Sequence, residues 1–205
     1  MIKANHSFLG KLFFSIYSLV KLKQQFQQIL FKGEFEDKGL PVLIIANHFS
    51  WWDGFIQLQI NERFLRRKFH VIMLEEQLEK FMILNKAGAY SVQKNSRKII
   101  ESLQYTVGLL SDNKNVVLLF PQGEIQSLYT QEFKFESGLE YILKNKQKDI
   151  QFIFNVNLVD YFSYKKPTLS VYFKNYNPQL PMNLQTIETD FNDFATECKL
   201  QQKEK

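Results

Sequence analysis

Between residues 39 and 173 the chain alternates two kinds of hydrophobic spacing. Residues 42–46 are an unbroken apolar run entered through Pro41, the pattern of a strand buried on both faces. Residues 71–74, 89–92, 116–120, 152–156 and 169–173 form five more short strand-like runs. Between them, apolar residues fall at helical spacing over 52–64, 75–84, 97–110 and 138–146. In the third of these, Ile100, Leu103, Val107 and Leu110 share one face. A polar stretch after Leu184 reads as a further helix with soft ends. This alternation predicts an α/β fold with a central, largely parallel sheet flanked by helices. No internal repeat or low-complexity linker interrupts it, so one unit is expected.

The first 33 residues read differently. They carry Lys3, Lys11, Lys21, Lys23 and Lys32 and no acidic residue. Ser7, Lys11, Ser15, Ser18 and Gln25 recur at helical spacing opposite Leu9, Leu12, Phe13, Ile16 and Val20, so the segment is expected to be an N-terminal amphipathic helix. Lys11 and Lys21 break the apolar run well short of the ~20 residues that span a bilayer. No small-residue cleavage site follows, which disfavours a cleaved signal peptide. Such a helix lies on a membrane or packs on its own domain, and both readings stay open. The expected division is residues 1–33 as a membrane-docking helix and 34–205 as the main domain.

Composition narrows the partners. A net charge of +5, from 26 Lys and Arg against 21 Asp and Glu, suits an anionic surface such as lipid headgroups or an acidic carrier protein. Zinc-finger spacing and RNP-like aromatic patterns are absent, so no nucleic acid is expected. Twenty Phe and nine Tyr against two Trp could fill a core, line an oily groove or meet a bilayer interface. Cys198 is the single cysteine, which excludes an internal disulfide. With only three His beside it, no Cys-rich zinc site is possible and no metal is expected.

The candidate chemistry starts at Ala46-Asn47-His48-Phe49-Ser50-Trp51-Trp52-Asp53-Gly54, where the first buried strand passes into a helix. Ligands of open α/β sheets sit at such strand ends. Histidine, whose unperturbed pKa is ~6.5, can at position 48 accept a proton near neutrality. A bend at Phe49 and Ser50 lets the Asp53 carboxylate reach back and fix its tautomer, giving a general base with an orienting acid. A purely structural reading also exists: Ser50-x-x-Asp53 resembles a capping box. Val116 to Phe120 then leads into Pro121-Gln122-Gly123-Glu124, a strand ending in a turn where backbone can approach a ligand, or an ordinary turn.

Taken together, these residues resemble the glycerolipid acyltransferase family, whose best-known members are the lysophosphatidic acid acyltransferases. Its first block, Asn-His followed by four residues and Asp, is matched by Asn47, His48 and Asp53. Its third, usually Phe-Pro-Glu-Gly-Thr-Arg, is similar to Phe120-Pro121-Gln122-Gly123-Glu124-Ile125. Its second is similar to Gly88 through Lys94, and residues 133–138 and 152–156 echo later segments. Order and intervals agree over roughly residues 40–160.

The resemblance implies direct acyl transfer from acyl-CoA or acyl carrier protein to a hydroxyl of a lipid acceptor, as in phospholipid biosynthesis. No cofactor is needed. His48 would be the base and Asp53 its orienting partner, with Asn47, Lys94, Arg97, Pro121, Gln122, Gly123 and Glu124 around the substrate. It also implies work as a peripheral protein on the cytoplasmic face of a membrane. The departures lie in the acceptor half. Lys94 stands for the second block's Arg, losing the bidentate fork, with Arg97 nearby as a substitute. Gln122 stands for Glu and Ile125 for Arg, while Glu124 restores an acid. The acceptor is therefore expected to differ from lysophosphatidic acid. Arg66-Arg67-Lys68 would meet a carrier's phosphates or cap a solvated helix end. Two other classes fit the same fold: a non-catalytic lipid-binding protein, and a hydrolase in which His48 activates water. The second is weakened by the absence of a Gly-x-Ser-x-Gly elbow.

Overall fold

Five consecutive apolar residues make strand β2 (Val42–Ala46), and all five are completely buried. Only a strand covered on both faces has that pattern, so β2 lies inside the sheet. It pairs in parallel with β5 (Asn115–Leu119) on one side and with β6 (Gln151–Asp160) on the other. The computed structural model describes residues 1–93, 98–180 and 182–204. Its seven-stranded sheet runs β1 (Gln28–Gly33), β7 (Thr168–Tyr176), β6, β2, β5, β3 (Lys68–Leu74) and β4 (Ala89–Val92). The β6–β7 pair is antiparallel, and every other pairing of the sheet is parallel.

Alternate side chains of each strand feed two cores. Leu43, Ile45, Val117, Phe152 and Phe154 face α4 (Ile99–Leu109), α5 (Gly138–Asn145) and α6 (Leu184–Leu200). Val42, Ile44, Ala46, Val116 and Leu118 face α1 (Phe8–Gln25) and α2 (Asp53–Ile60). The expected central parallel sheet with flanking helices is what forms. The helix expected over 75–84 is split into α3 (Glu75–Lys80) and a 3-10 turn at Met82–Ala87, while that over 52–64 ends in a π turn at Asn61–Leu65.

The N-terminal segment corrects the expected extent of its helix. The helix ends at Gln25, and Gln28–Gly33 become an edge strand in register with Thr168–Phe173. Residues 28–33 therefore belong to the sheet and not to the helix. Gly33 is required there, because a Cβ would fall 1.8 Å from the Phe173 carbonyl oxygen. The helix packs on the domain through part of its polar stripe and leaves its apolar face outward. Phe14, Ser18 and Leu22 pack inward, and the Gln59 amide donates to Ser15 O and Ser18 Oγ at 2.9 and 2.7 Å. Leu9, Leu12, Phe13, Ile16, Leu19 and Val20 face outward, each at least 42% exposed.

Residues before α1 are strapped to the far side of the sheet. Ile2 pairs with Ser91, and His6 Nε2 donates to Phe69 O at 2.7 Å. The His6 ring meets His70 edge-on, 4.6 Å between centroids. His70 is 1% exposed and donates from Nε2 to Asn115 Oδ1 at 3.2 Å. Burial, then the neighbouring His6, pushes its pKa down to about 4. A histidine whose folded pKa is depressed contributes fully above its unfolded value and loses that contribution as pH falls through the folded one. Wild type is expected to lose up to about 3 kcal/mol more than His70→Gln between pH 6.5 and 4. Thermal midpoints of both proteins across that window check this, and parallel curves would refute it.

Candidate active site

The site forms at the C-terminal edge of the parallel strands, where the chain leaves β2 at Ala46 and β5 at Leu119, two strands that lie side by side. Asn47 continues β2 and is 2% exposed. Its Nδ2 donates to Asn157 O at 3.0 Å and its Oδ1 accepts from Asn157 N at 2.8 Å. The expectation that Asn47 touches substrate is therefore corrected: both ends of its amide are engaged by β6, fixing the take-off point of the next residue.

That residue is His48. Its Nδ1 lies 2.7 Å from Asp53 Oδ2, with the carboxylate completely buried and the imidazole 22% exposed. A carboxylate only accepts, so Nδ1 carries the proton and Nε2 keeps a lone pair. Asp53 Oδ2 also accepts from Phe49 N at 2.7 Å and Ser50 N at 2.9 Å, and Oδ1 accepts from Ser50 Oγ at 3.0 Å. Asp53 is the first residue of α2, whose N-cap Trp52 makes no side-chain cap bond. The bonds of the capping-box reading are present around Ser50, whose Oγ accepts from Trp52 N at 3.1 Å while its N–H donates to Asp53, so one carboxylate organises both the turn and the imidazole. Phe120 stacks on the other face of His48, centroids 4.1 Å apart and planes 11° from parallel.

The loop after β5 closes over the same histidine. Pro121 and Gln122 are buried, and Gln122 Oε1 accepts from His48 N at 2.7 Å. Gly123 adopts a φ of +69°, a left-handed conformation that costs other residues roughly 1–2 kcal/mol. Its N–H donates to Phe120 O at 3.0 Å, which closes the turn and takes that amide away from any oxyanion. Gln122 is likewise not placed to touch an acceptor, whereas Gly123 and Glu124 do line the cavity next to His48. Lys94 and Arg97 lie outside the described residues. Arg67 is 9% exposed and ties Leu40 O and Asn113 O to Asp37. It precedes β3 at the opposite sheet edge, so the Arg66-Arg67-Lys68 run is not part of this site.

A cavity of about 530 Å³ opens beside His48. Trp51, Leu74 and Ile125, each at least 40% exposed, stand at its mouth, while Phe14, Phe55, Leu58 and Phe69 form its buried interior. Among the described residues its polar side-chain groups are those of His48, Gln77 and Glu124 and the Trp51 indole N–H. A narrow set of polar groups at the entrance of an apolar interior is the architecture of a small-molecule site. Phe69, Leu84 and Ala87 on its walls carried no chemical signal in the sequence beyond being apolar.

A profile of the Acyltransferase family matches residues 20–152, well over half of the chain. The chain belongs to that family and is an acyltransferase. Among solved structures, it is similar to the 1-acyl-sn-glycerophosphate (LPA) acyltransferase PlsC from Thermotoga maritima. The match has a TM-score of 0.62 and 14% identity, over 94% of this chain and 80% of that one. At that identity the likeness establishes a common fold. No curated protein matches the sequence.

Proposed function

We propose that this acyltransferase moves a fatty acyl group from an acyl thioester, acyl-CoA or acyl carrier protein, to the hydroxyl of a lysophospholipid-like acceptor, with His48 as general base. The observation that carries the reading is the 2.7 Å His48–Asp53 pair at the mouth of an apolar cavity. The acceptor O–H gives its proton to Nε2 as its oxygen attacks the thioester carbonyl. Collapse of the tetrahedral species breaks the C–S bond, and the thiolate leaves with the proton that Nε2 held. Asp53 keeps Nδ1 protonated and steadies the imidazolium that forms. The apolar interior accepts the acyl chain, at about 0.8 kcal/mol per methylene removed from water. Ile125 offers no cation where the family pattern has Arg, which supports an acceptor other than one with a bare phosphate headgroup. A labelled acyl donor assayed against lysolipids of differing headgroup tests this: labelled product is expected with wild type, and none with any acceptor or donor would refute it.

The outward face of α1 supports work at a membrane surface. No helix among the described residues is long and apolar enough to cross a bilayer. The exposed apolar side chains of α1 are followed by Lys21 and Lys23, the composition of an interfacial helix. Because α1 is packed on the core through Phe14 and Leu22, point changes are the right probe. Leu9→Ser with Phe13→Ser is expected to weaken binding to vesicles containing anionic lipid by at least about tenfold, with thermal stability unchanged. Equal vesicle binding would remove this role from α1.

A further inference from the structure

His48 is held by its main chain as firmly as by its ring. Its N–H donates to Gln122 Oε1 at 2.7 Å, and its carbonyl oxygen accepts from Gln126 N at 2.9 Å. The same two residues are joined to each other, Gln122 Nε2 donating to Gln126 Oε1 at 2.7 Å. Gln126 Nε2 donates in turn to Glu124 Oε1 at 3.0 Å. The direction of this chain is fixed at both ends. A backbone N–H only donates and a carboxylate only accepts, so each amide between them has one allowed orientation. Gln122 is 3% exposed and is not among the residues lining the cavity.

We infer that Gln122, Gln126 and Glu124 form a one-way hydrogen-bond relay that positions His48 for catalysis, and that Gln122 and Glu124 are matched to each other. A glutamate at 122 would still accept from His48 N–H, but its second oxygen would face the Gln126 Oε1. Turning the Gln126 amide over would relieve that contact and set its oxygen against the Glu124 carboxylate. Two of the three departures from the Phe-Pro-Glu-Gly-Thr-Arg pattern, Gln122 and Glu124, therefore compensate one another. Gln122 is a positioning residue, not a lost contact to an anionic or cationic headgroup. Chained donors and acceptors of this kind also polarise one another, which stiffens the set.

The role of the relay in catalysis rests on the acyl-transfer reading, while its existence does not. Two measurements separate these. With wild type, Gln122→Leu, Gln122→Glu, Glu124→Gln and the double variant Gln122→Glu/Glu124→Gln, kcat and KM are determined with one acceptor. The hydrogen-exchange rate of the His48 amide is followed by NMR. Gln122→Leu is expected to lower kcat by about 10²-fold, the scale of a small misplacement of a catalytic group, with KM nearly unchanged and the His48 amide unprotected. Gln122→Glu is expected to lose about tenfold and to recover it in the double variant. A raised KM at constant kcat in Gln122→Leu, or a double variant no better than Gln122→Glu, would overturn the relay. So would an unprotected His48 amide in wild type, a result independent of whether any acyl group is transferred.

Discussion

Replacing His48 by Ala is expected to lower kcat by about 10²–10⁴-fold, the range over which a positioned base contributes, while leaving the fold intact. The fold survives because little rests on the imidazole. It is partly exposed, its Nδ1 bond to Asp53 is one of four that this carboxylate accepts, and its backbone bonds to Gln122 and Gln126 stay. KM for the acyl donor should change little, because the interior proposed to hold the chain is built by Phe14, Phe55, Leu58 and Phe69. Steady-state kinetics together with a thermal melt check both halves. A large fall in melting temperature would assign His48 a structural role instead.

Asp53 carries the opposite balance. Asp53→Ala should remove activity and also stability. It leaves the amides of Phe49 and Ser50 and the Ser50 hydroxyl without their acceptor in a place where the carboxylate has no solvent exposure. A buried donor left unpaired costs roughly 1–3 kcal/mol, so a loss of at least about 3 kcal/mol is expected. For a domain of this size that is a fall of roughly 6–12 °C in melting temperature. Asp53→Asn separates the two duties. Its amide oxygen can still accept from the turn, so most stability should return. The tautomer of His48 is no longer enforced, and related His–Asp pairs lose about 10⁴-fold for that reason. An Asn variant that keeps full activity would show that Asp53 only holds the turn.

The sequence exposed the parts of this molecule whose signals are local. β2 and β4 have the limits that their apolar runs predict, and His48 and Asp53 meet because five positions of strand-to-helix turn bring them together. What stayed hidden depends on partners far along the chain. Gln28–Gly33 is only partly buried at a sheet edge, so its Ile29, Leu30 and Phe31 continue the helical pattern of α1 as readily as they start a strand. Ser15 and Ser18 mark a polar stripe, but that the stripe faces inward follows from Gln59 forty-odd positions away. Asn47 and Gln122 announce themselves as polar residues in a motif. Only the fold shows that one is occupied by the β6 backbone and the other by His48 N–H. The cavity is collected from α1, α2, β3 and the 3-10 turn, none of which signals a ligand alone.

In the proposed reaction His48 acts as a base in one direct transfer from thioester to acceptor. Single-turnover rapid quench with a labelled acyl thioester and saturating lysolipid, wild type beside His48→Ala, distinguishes this from a covalent route. Label should pass from donor to lipid product in one phase with none covalently held by the protein, and the variant should be slower by about 10²–10⁴-fold. Label retained on the protein, or transfer at an undiminished rate without His48, would contradict it.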